Sequence, residues 1–294
     1  MVRQLLLAAA VLAACSAPGQ PVAEPSLAPS PTTTPAAATP TPTPSPAAAP
    51  SPTLLVGGDI SWPNCPIGTP GALPKKQAKG NPLPGPGARF VVIGLTNGPG
   101  FYPNPCLAWE VSEAKRRGLA TAAYAFTTMP NPAQVTAYGK TGPYSTRTAL
   151  GRLQNASYQE AQINIRSLRR SGLRTPIVWV DIEPQPYLEP WGSDVVANRA
   201  VIRASLKAYD DAGIATGLYS SDNPWRSITG GLRDDRPTWV TVGPRGQAAA
   251  LAKCAAPSFS GGRPVLAQWW DDDVQDKDLV CPGAEPGQLF SPAS

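Results

Sequence analysis

Histidine is absent from this 294-residue chain, and its absence narrows the chemistry more than any other feature of the composition. A chain without imidazole cannot form a Ser-His-Asp or Cys-His hydrolase, a His-ligated zinc site or a histidine acid/base catalyst at neutral pH. An enzyme of this sequence must use carboxylates, lysine, tyrosine, serine or backbone amides. We expect it to need no cofactor and no metal.

Charged residues are also few, at 15% of the chain, and the formal net charge is +5. The basic residues form no clustered face, because the densest runs, Arg116-Arg117 and Arg169-Arg170, each lie within a helical pattern. Nucleic-acid binding normally requires such a face, so we expect no nucleic-acid partner. Outside the first residues the chain also lacks an apolar run of roughly 20 residues, which a transmembrane helix would need.

The first residues predict export. A basic start is followed by a short apolar run, Leu5 to Ala14, and then by Cys15. The segment ending at Cys15, Leu-Ala-Ala-Cys, resembles a bacterial lipobox. The resemblance implies that residues 1–14 are a removed signal peptide and that Cys15 carries a thioether-linked diacylglycerol. An ordinary signal peptide that contains a cysteine is the alternative. We expect a monomer held by this lipid at the extracytoplasmic face of the cell membrane.

The following residues, up to 53, are mostly proline, alanine, serine and threonine. Such a segment buries too little apolar surface to offset the entropy lost on ordering. We therefore predict an extended tether over residues 15–53 and one folded domain over residues 54–294.

Four cysteines remain in that domain, and an even number in an exported domain predicts two disulfides. Four cysteines allow three pairings. Their positions fall into two separated groups, so we expect Cys65–Cys106 and Cys254–Cys281. The competing four-cysteine metal site lacks any C-x2-C spacing.

Short apolar runs alternate with helical patterns through the domain, which predicts an α/β fold with a parallel sheet covered by helices. Seven or eight such repeats over about 240 residues favour a (β/α)8 TIM-type barrel. The predicted strands are 54–56, 90–95, 120–126, 177–182, 215–219, 238–242 and 265–270, and the predicted helices are 107–117, 157–172, 194–212 and 248–254.

Two carboxylates, Asp181 and Glu183, follow the fourth predicted strand at the end where barrels place their chemistry. Residues two apart in an extended chain point to the same side, at a backbone separation of about 6.5 to 7 Å. Their repulsion and burial should raise one pKa and leave the other group ionised, which is the division that glycosidic bond cleavage requires. In the alternative interpretation Asp181 starts an Asx turn and Glu183 is solvated.

The order of motifs along the domain resembles glycoside hydrolase family 25, the cell-wall muramidases. The motifs that carry this resemblance are Gly57-Gly58-Asp59-Ile60-Ser61, the strand Gly118 to Phe126, Asp181-Ile182-Glu183, Gly217-Leu218-Tyr219, a strand with Trp239, Gln268-Trp269 and, half matched, Lys277-Asp278-Leu279-Val280. The segments Ser-Trp-Pro-Asn-Cys at 61–65 and Asn-Pro-Cys-Leu at 104–107 are similar to those of a secreted branch of family-25-like barrels, the glycoside-hydrolase-like domain of unknown function.

The resemblance implies a role for each matched residue. Glu183 would be the general acid/base, and Asp181 would orient a 2-acetamido group of the sugar or stabilise the oxocarbenium charge. The remaining implied residues would bind substrate: Asp59 and Asp278 on the floor, Gln268 beside them, and Tyr124, Trp62 and Trp269 stacked on sugar faces.

Two functions follow from these residues. One is a lipid-anchored glycosidase acting on peptidoglycan or another wall polysaccharide. The other is a catalytically silent module that binds the same glycan, which is favoured by the lack of an acidic residue on the Trp239 strand. The acidic run 271–273, together with Asp276 and Asp278, could bind a hard cation such as calcium. It lacks the EF-hand glycine and the closing glutamate, so we interpret it as a solvated acidic loop.

Overall fold

A computed structural model describes residues 54–71, 76–98, 100–184, 190–271 and 275–293. The signal peptide, Cys15 and the tether predicted from the sequence lie outside the described residues. The strands are β1 (Val56–Ile60), β2 (Phe90–Gly94), β3 (Ala120–Phe126), β4 (Ile177–Asp181), β5 (Ala215–Ser220), β6 (Thr238–Thr241), β7 (Pro264–Trp270) and β8 (Asp276–Val280). The helices are α1 (Leu107–Arg116), α2 (Pro132–Tyr138), α3 (Ala149–Ser171), α4 (Val195–Asp211), α5 (Asp222–Thr229), α6 (Gly246–Lys253) and α7 (Pro286–Leu289).

The eight strands close into one barrel, β1 to β8 in chain order, which confirms the predicted barrel. Strands β1 to β7 pair in parallel, whereas β8 is antiparallel to both β7 and β1. The reversal follows from chain length, because residues 271–275 are too few for the crossover that a parallel eighth strand needs. Strand β8 was not predicted from the sequence, since its Asp-Lys-Asp start is unfavourable for a strand.

Side chains alternate between the barrel interior and its outer surface along each strand. The interior holds an aromatic cluster of Phe90, Tyr124, Trp179, Tyr219 and Trp239. The outer face carries aliphatic residues that pack beneath the helices: Ile93, Val178, Val180, Ile182 and Leu218 against Ile165 and Ile202. Strand β4, buried at every position, contributes to both layers.

Helix α3 begins eight residues before the start predicted from the capping-box pattern at Ser157. Thr148 caps it by accepting a hydrogen bond from the Gly151 amide, and Ser157 lies inside the helix with its hydroxyl bonded to the Val201 carbonyl. The predicted end is confirmed, because Gly172 terminates the helix in the left-handed conformation at φ 71°.

The end of the barrel at which β1 to β7 begin is closed by the C-terminal segment. Leu289 and Phe290 belong to the interior cluster, and the Phe290 ring stacks on Phe90 with 4.2 Å between centroids. Backbone bonds between Thr121 and Ser291 fix this segment to β3. The opposite end of the barrel, where the parallel strands finish, carries the functional side chains described below.

Both predicted disulfides are confirmed. Cys65 is bonded to Cys106 across 41 residues, and Cys254 to Cys281 across 27. The first joins the loop after β1 to the start of α1, and the second joins the end of α6 to the end of β8. Within the part of the chain that the structure describes, no helix has the length and apolar character to cross a bilayer.

Candidate active site

Five carboxylates gather at the open end of the barrel. Asp59 lies one residue before the end of β1. Asp181 is the last residue of β4, and Glu183 lies two residues after it. Because β8 runs antiparallel, its first residues, Asp276 and Asp278, lie at the same end. We call these five residues the acidic mouth.

The floor of the acidic mouth is a chain of side-chain hydrogen bonds. The Tyr219 hydroxyl donates to Gln268 Oε1 at 2.7 Å, and Gln268 Nε2 donates to Asp59 Oδ2 at 2.8 Å. From the other side, Trp239 Nε1 donates to Asp278 Oδ1 at 2.8 Å. Gln268 and Asp278 stand opposite each other in the β7–β8 register. The predicted residues Asp59, Gln268 and Asp278 are thus brought together.

Burial raises the pKa of both Asp59 and Asp278, and the charge of Asp276 raises both further. Their mutual hydrogen bond raises the pKa of Asp59 and lowers that of Asp278. The hydrogen bond that Asp278 accepts from the Trp239 N–H also lowers the pKa of Asp278.

Asp181 and Glu183 form the second part of the acidic mouth. Burial raises the pKa of Glu183 from 4.5 to about 7, with a further contribution from the charge of Asp276. Asp181 is 2% exposed, and burial followed by the charge of Glu183 raises its pKa well above the usual range. The pKa values of both carboxyl groups are therefore raised, whereas the sequence predicted a rise at only one of them, because the surroundings supply too little compensation for a buried charge.

The backbone fixes the geometry of this pair. The Asp181 carbonyl accepts from the Thr127 amide at 3.0 Å, and the Ser220 hydroxyl donates to the Ile182 carbonyl at 2.7 Å. After the strand, Trp191 Nε1 donates to the Glu183 carbonyl at 2.9 Å. Hydrogen bonds from the end of β3, from β5 and from the segment before α4 thus fix the backbone that carries the two carboxylates.

The predicted aromatic residues lie in three different places. Tyr124 is buried in the interior cluster, with its ring centroid 6.0 Å from that of Trp239. The ring approaches Gly94 so closely that a Cβ there would lie 2.9 Å from Tyr124 Cζ, so this position requires glycine. Trp62 is half-buried in the loop after β1, beside the Cys65–Cys106 disulfide.

Trp269 lies on the outer face of β7, where it packs with Val240 and Leu279 near α6. The prediction that it lines the mouth is wrong, because the inward positions of β7 are 266, 268 and 270. Trp270, half-buried at the end of β7 and close to Gly243, takes the inward position instead. Alternation counted from Gln268 would have identified it.

The sequence predicted that Asp276 lies in a solvated acidic loop, but the structure places it in the acidic mouth. It is exposed at the rim and pairs in register with Asp59 of β1 and Trp270 of β7. Asp271 is also exposed, and its carboxylate bonds to Lys277. Recognition of 276–280 as a strand would have placed Asp276 and Asp278 on the same inward face.

Comparison with known proteins supports this fold. The sequence model of the family described as Lysozyme-like protein 1 matches residues 133–242, which include Asp181 and Glu183. No curated protein sequence gives a significant match.

Several solved structures share the barrel. A muramidase from Trichobolus zukalii has a TM-score of 0.52 and 16% identity, over 80% of this chain and 97% of that one. A family GH25 lysozyme from Aspergillus fumigatus has a TM-score of 0.51 and 17% identity, over 79% and 96%. A bacterial lysozyme from Streptomyces coelicolor has a TM-score of 0.52 and 14% identity, over 81% and 97%. The chain therefore has the barrel fold of the family 25 lysozymes.

Proposed function

We propose that this protein is a glycoside hydrolase of the cell envelope that cleaves peptidoglycan or another wall polysaccharide. The observation that carries the proposal is the position of Glu183, which lies at the open end of a lysozyme-type barrel with a pKa of about 7. A carboxylic acid with that pKa is substantially protonated at neutral pH and can donate its proton during the reaction.

Proton donation is the first task in this chemistry, because a glycosidic oxygen is a poor leaving group until it is protonated. The chain contains no histidine, so a carboxylic acid has to perform this step. Glu183 transfers its proton to the glycosidic oxygen as the bond to the anomeric carbon breaks. As the carboxylate, it then accepts a proton from the water that attacks that carbon, which restores the acid.

Asp181 supplies an acceptor for the substrate. Its Oδ1 is buried and has no hydrogen-bond partner among the described residues, which is costly unless a ligand provides a donor. The N–H of a 2-acetamido group is such a donor, and its arrival favours the ionised form of Asp181. Asp181 then orients the acetamido group toward the anomeric carbon, or offsets the positive charge that develops on the sugar ring.

The remaining acids of the acidic mouth act through charge and hydrogen bonding. The negative potential of Asp276 and Asp278 stabilises an oxocarbenium-like transition state, and the charge of Asp276 helps to keep the proton on Glu183 until it is needed. Asp59 and Gln268 present fixed polar groups to sugar hydroxyls, and Trp270 offers an aromatic face at the rim.

We further propose that the domain acts outside the cell membrane, held there by a lipid on Cys15 and spaced from the bilayer by residues 16–53. The lipobox-like sequence before Cys15 and the proline-rich composition of the spacer support this part of the proposal. Two disulfides in the folded domain fit an oxidising compartment.

The test is incubation of the purified protein with isolated cell walls, followed by mass spectrometry of the released fragments. We expect wild type to release glycan fragments, Glu183→Gln to lose at least about 10²-fold in rate, and Asp181→Asn to retain residual activity. Glu285→Gln makes the same chemical change on an exposed residue at the closed end of the barrel and should leave the rate unchanged.

Binding of the same walls, measured by co-sedimentation, separates the two functions. Retention of binding by Glu183→Gln with loss of cleavage supports the hydrolase. Wall binding without cleavage by wild type would replace it with a glycan-binding module.

A further inference from the structure

Apart from the acids of the acidic mouth, a buried acid lies beside the Cys65–Cys106 disulfide. Glu110 is 0% exposed in the first turn of α1, four residues after Cys106. One of its carboxylate oxygens and both sulfur atoms lie within 4.8 Å of one another. Glu110 Oε2 accepts from Asn104 Nδ2 at 2.7 Å, and Oε1 has no hydrogen-bond partner among the described residues. An acid buried in this way therefore adjoins a bond that can be reduced.

The two sulfur atoms have unequal surroundings. Both cysteines belong to one apolar cluster with Ala78 and Trp62, and within it Cys65 is 0% exposed. Cys106 is 8% exposed and is the N-cap of α1, a helix of ten residues. A thiolate is stabilised at a helix N-terminus and destabilised in apolar surroundings. Attack by an external thiolate on Cys106 is therefore the accessible route, but it expels Cys65 as a buried thiolate.

We propose that Cys65–Cys106 is a site of thiol–disulfide exchange with dithiol reductants, and that Glu110 donates the proton which the departing Cys65 sulfur requires. The attacking thiolate forms a bond to Cys106 Sγ, the Cys65–Cys106 bond breaks, and the Glu110 proton passes to Cys65 Sγ. The second thiol of the reductant then attacks the mixed disulfide, expels Cys106 as a thiolate and releases its own proton through solvent, which restores Glu110. The products are a Cys65 thiol, a Cys106 thiolate and the oxidised, cyclic reductant.

The protonation state of Glu110 agrees with this role. Burial raises the pKa of Glu110 to about 8, and the Asn104 amide lowers it. Among the described residues, no charged side chain of β2, β3 or α3, which pack against α1, contributes to that shift. The acid therefore carries its proton at neutral pH.

Exchange at this site would act on the rim of the barrel. The disulfide joins the loop that follows Asp59 and carries Trp62 to the segment that follows β2. Asn104 links the same region to the barrel, because its Nδ2 also donates to the carbonyl of Gly94, the last residue of β2. Reduction thus releases a covalent link between two loops beside the acidic mouth.

The experiment measures the reduction of each disulfide separately in the full-length protein. Wild type and Glu110→Gln are treated with dithiothreitol at pH 7, quenched with iodoacetamide at intervals and mapped by mass spectrometry. We expect Glu110→Gln to slow reduction of Cys65–Cys106 by about tenfold or more, the range of general acid catalysis. Reduction of Cys254–Cys281, which serves as the internal control, should change less than about twofold in the same samples.

The comparison of the two disulfides separates proton donation from a change in stability. Glutamine should stabilise the folded domain relative to wild type at pH 7, so rarer opening of the domain would slow the reduction of both disulfides by the same factor. An unchanged or faster rate, or an equal change at both disulfides, overturns the proposal.

A second measurement needs no variant. In wild type the rate constant per dithiothreitol thiolate should fall above about pH 8 for Cys65–Cys106 as Glu110 loses its proton, and remain level for Cys254–Cys281. A level profile at Cys65–Cys106 also overturns the proposal.

Discussion

Replacement of Glu110 by glutamine should change how the stability of this protein depends on pH. Glu110 has an ordinary pKa of 4.5 when exposed and a pKa of about 8 when buried in the folded domain. Between these values the folded protein keeps a proton that the unfolded chain has released, so a rise in pH favours unfolding. The contribution of Glu110 to the unfolding free energy is fully present below about pH 4.5 and is lost as the pH rises through about 8.

The magnitude follows from the two pKa values. They differ by about 3.5, and each unit corresponds to about 1.4 kcal/mol, so wild type should lose about 5 kcal/mol of unfolding free energy from this group across that range. Glutamine keeps the shape and can still accept the hydrogen bond from Asn104, but it does not ionise. The stability of Glu110→Gln relative to wild type should therefore rise by about 1.4 kcal/mol for each pH unit.

Urea unfolding of both proteins from pH 5 to pH 8.5, with the disulfides intact, measures this difference. Other buried acids, such as Glu183, affect both proteins equally, so the difference isolates Glu110. Glu113→Gln is the matched control on the same helix. The Arg116 hydrogen bond lowers the pKa of Glu113, so that substitution should not reproduce the rise. A stability difference that stays constant with pH would show that Glu110 ionises normally, and the reasoning from burial would then be refuted.

Three further outcomes can be checked. Wall hydrolysis by wild type should fall about tenfold for each pH unit above about 7, because Glu183 must be protonated, and a rate that keeps rising to pH 9 would exclude it as the acid. Phe290→Ala should cost about 3 to 5 kcal/mol in unfolding free energy, since it removes a buried ring stacked on Phe90, while alanine at the exposed neighbour Gln288 should cost little. Cys15→Ala should move the protein from the detergent phase to the aqueous phase without a change in thermal unfolding, and equal partitioning of the two proteins would contradict lipidation.

The sequence by itself determined the elements whose signals are local. Strands β3 and β4, the end of α3 at Gly172 and the extent of α4 follow from short-range rules on apolar runs and helix termini. The spacing of the cysteines and the order of the short motifs led to the disulfide pairs and the barrel in the same way. The position of Asp181 and Glu183 at a strand end also required only the local pattern.

Only the tertiary structure decided which residues share the acidic mouth and which of their pKa values are raised by burial. The direction of β8 depends on a connection too short for a crossover, and that reversal brings Asp276 and Asp278 to the acidic mouth. The outward position of Trp269 depends on strand register, since a shift of one residue moves a side chain to the other face. Burial of Asp181, Glu183 and Glu110 comes from packing by distant segments, and desolvation by those segments, which composition cannot reveal, raises their pKa values.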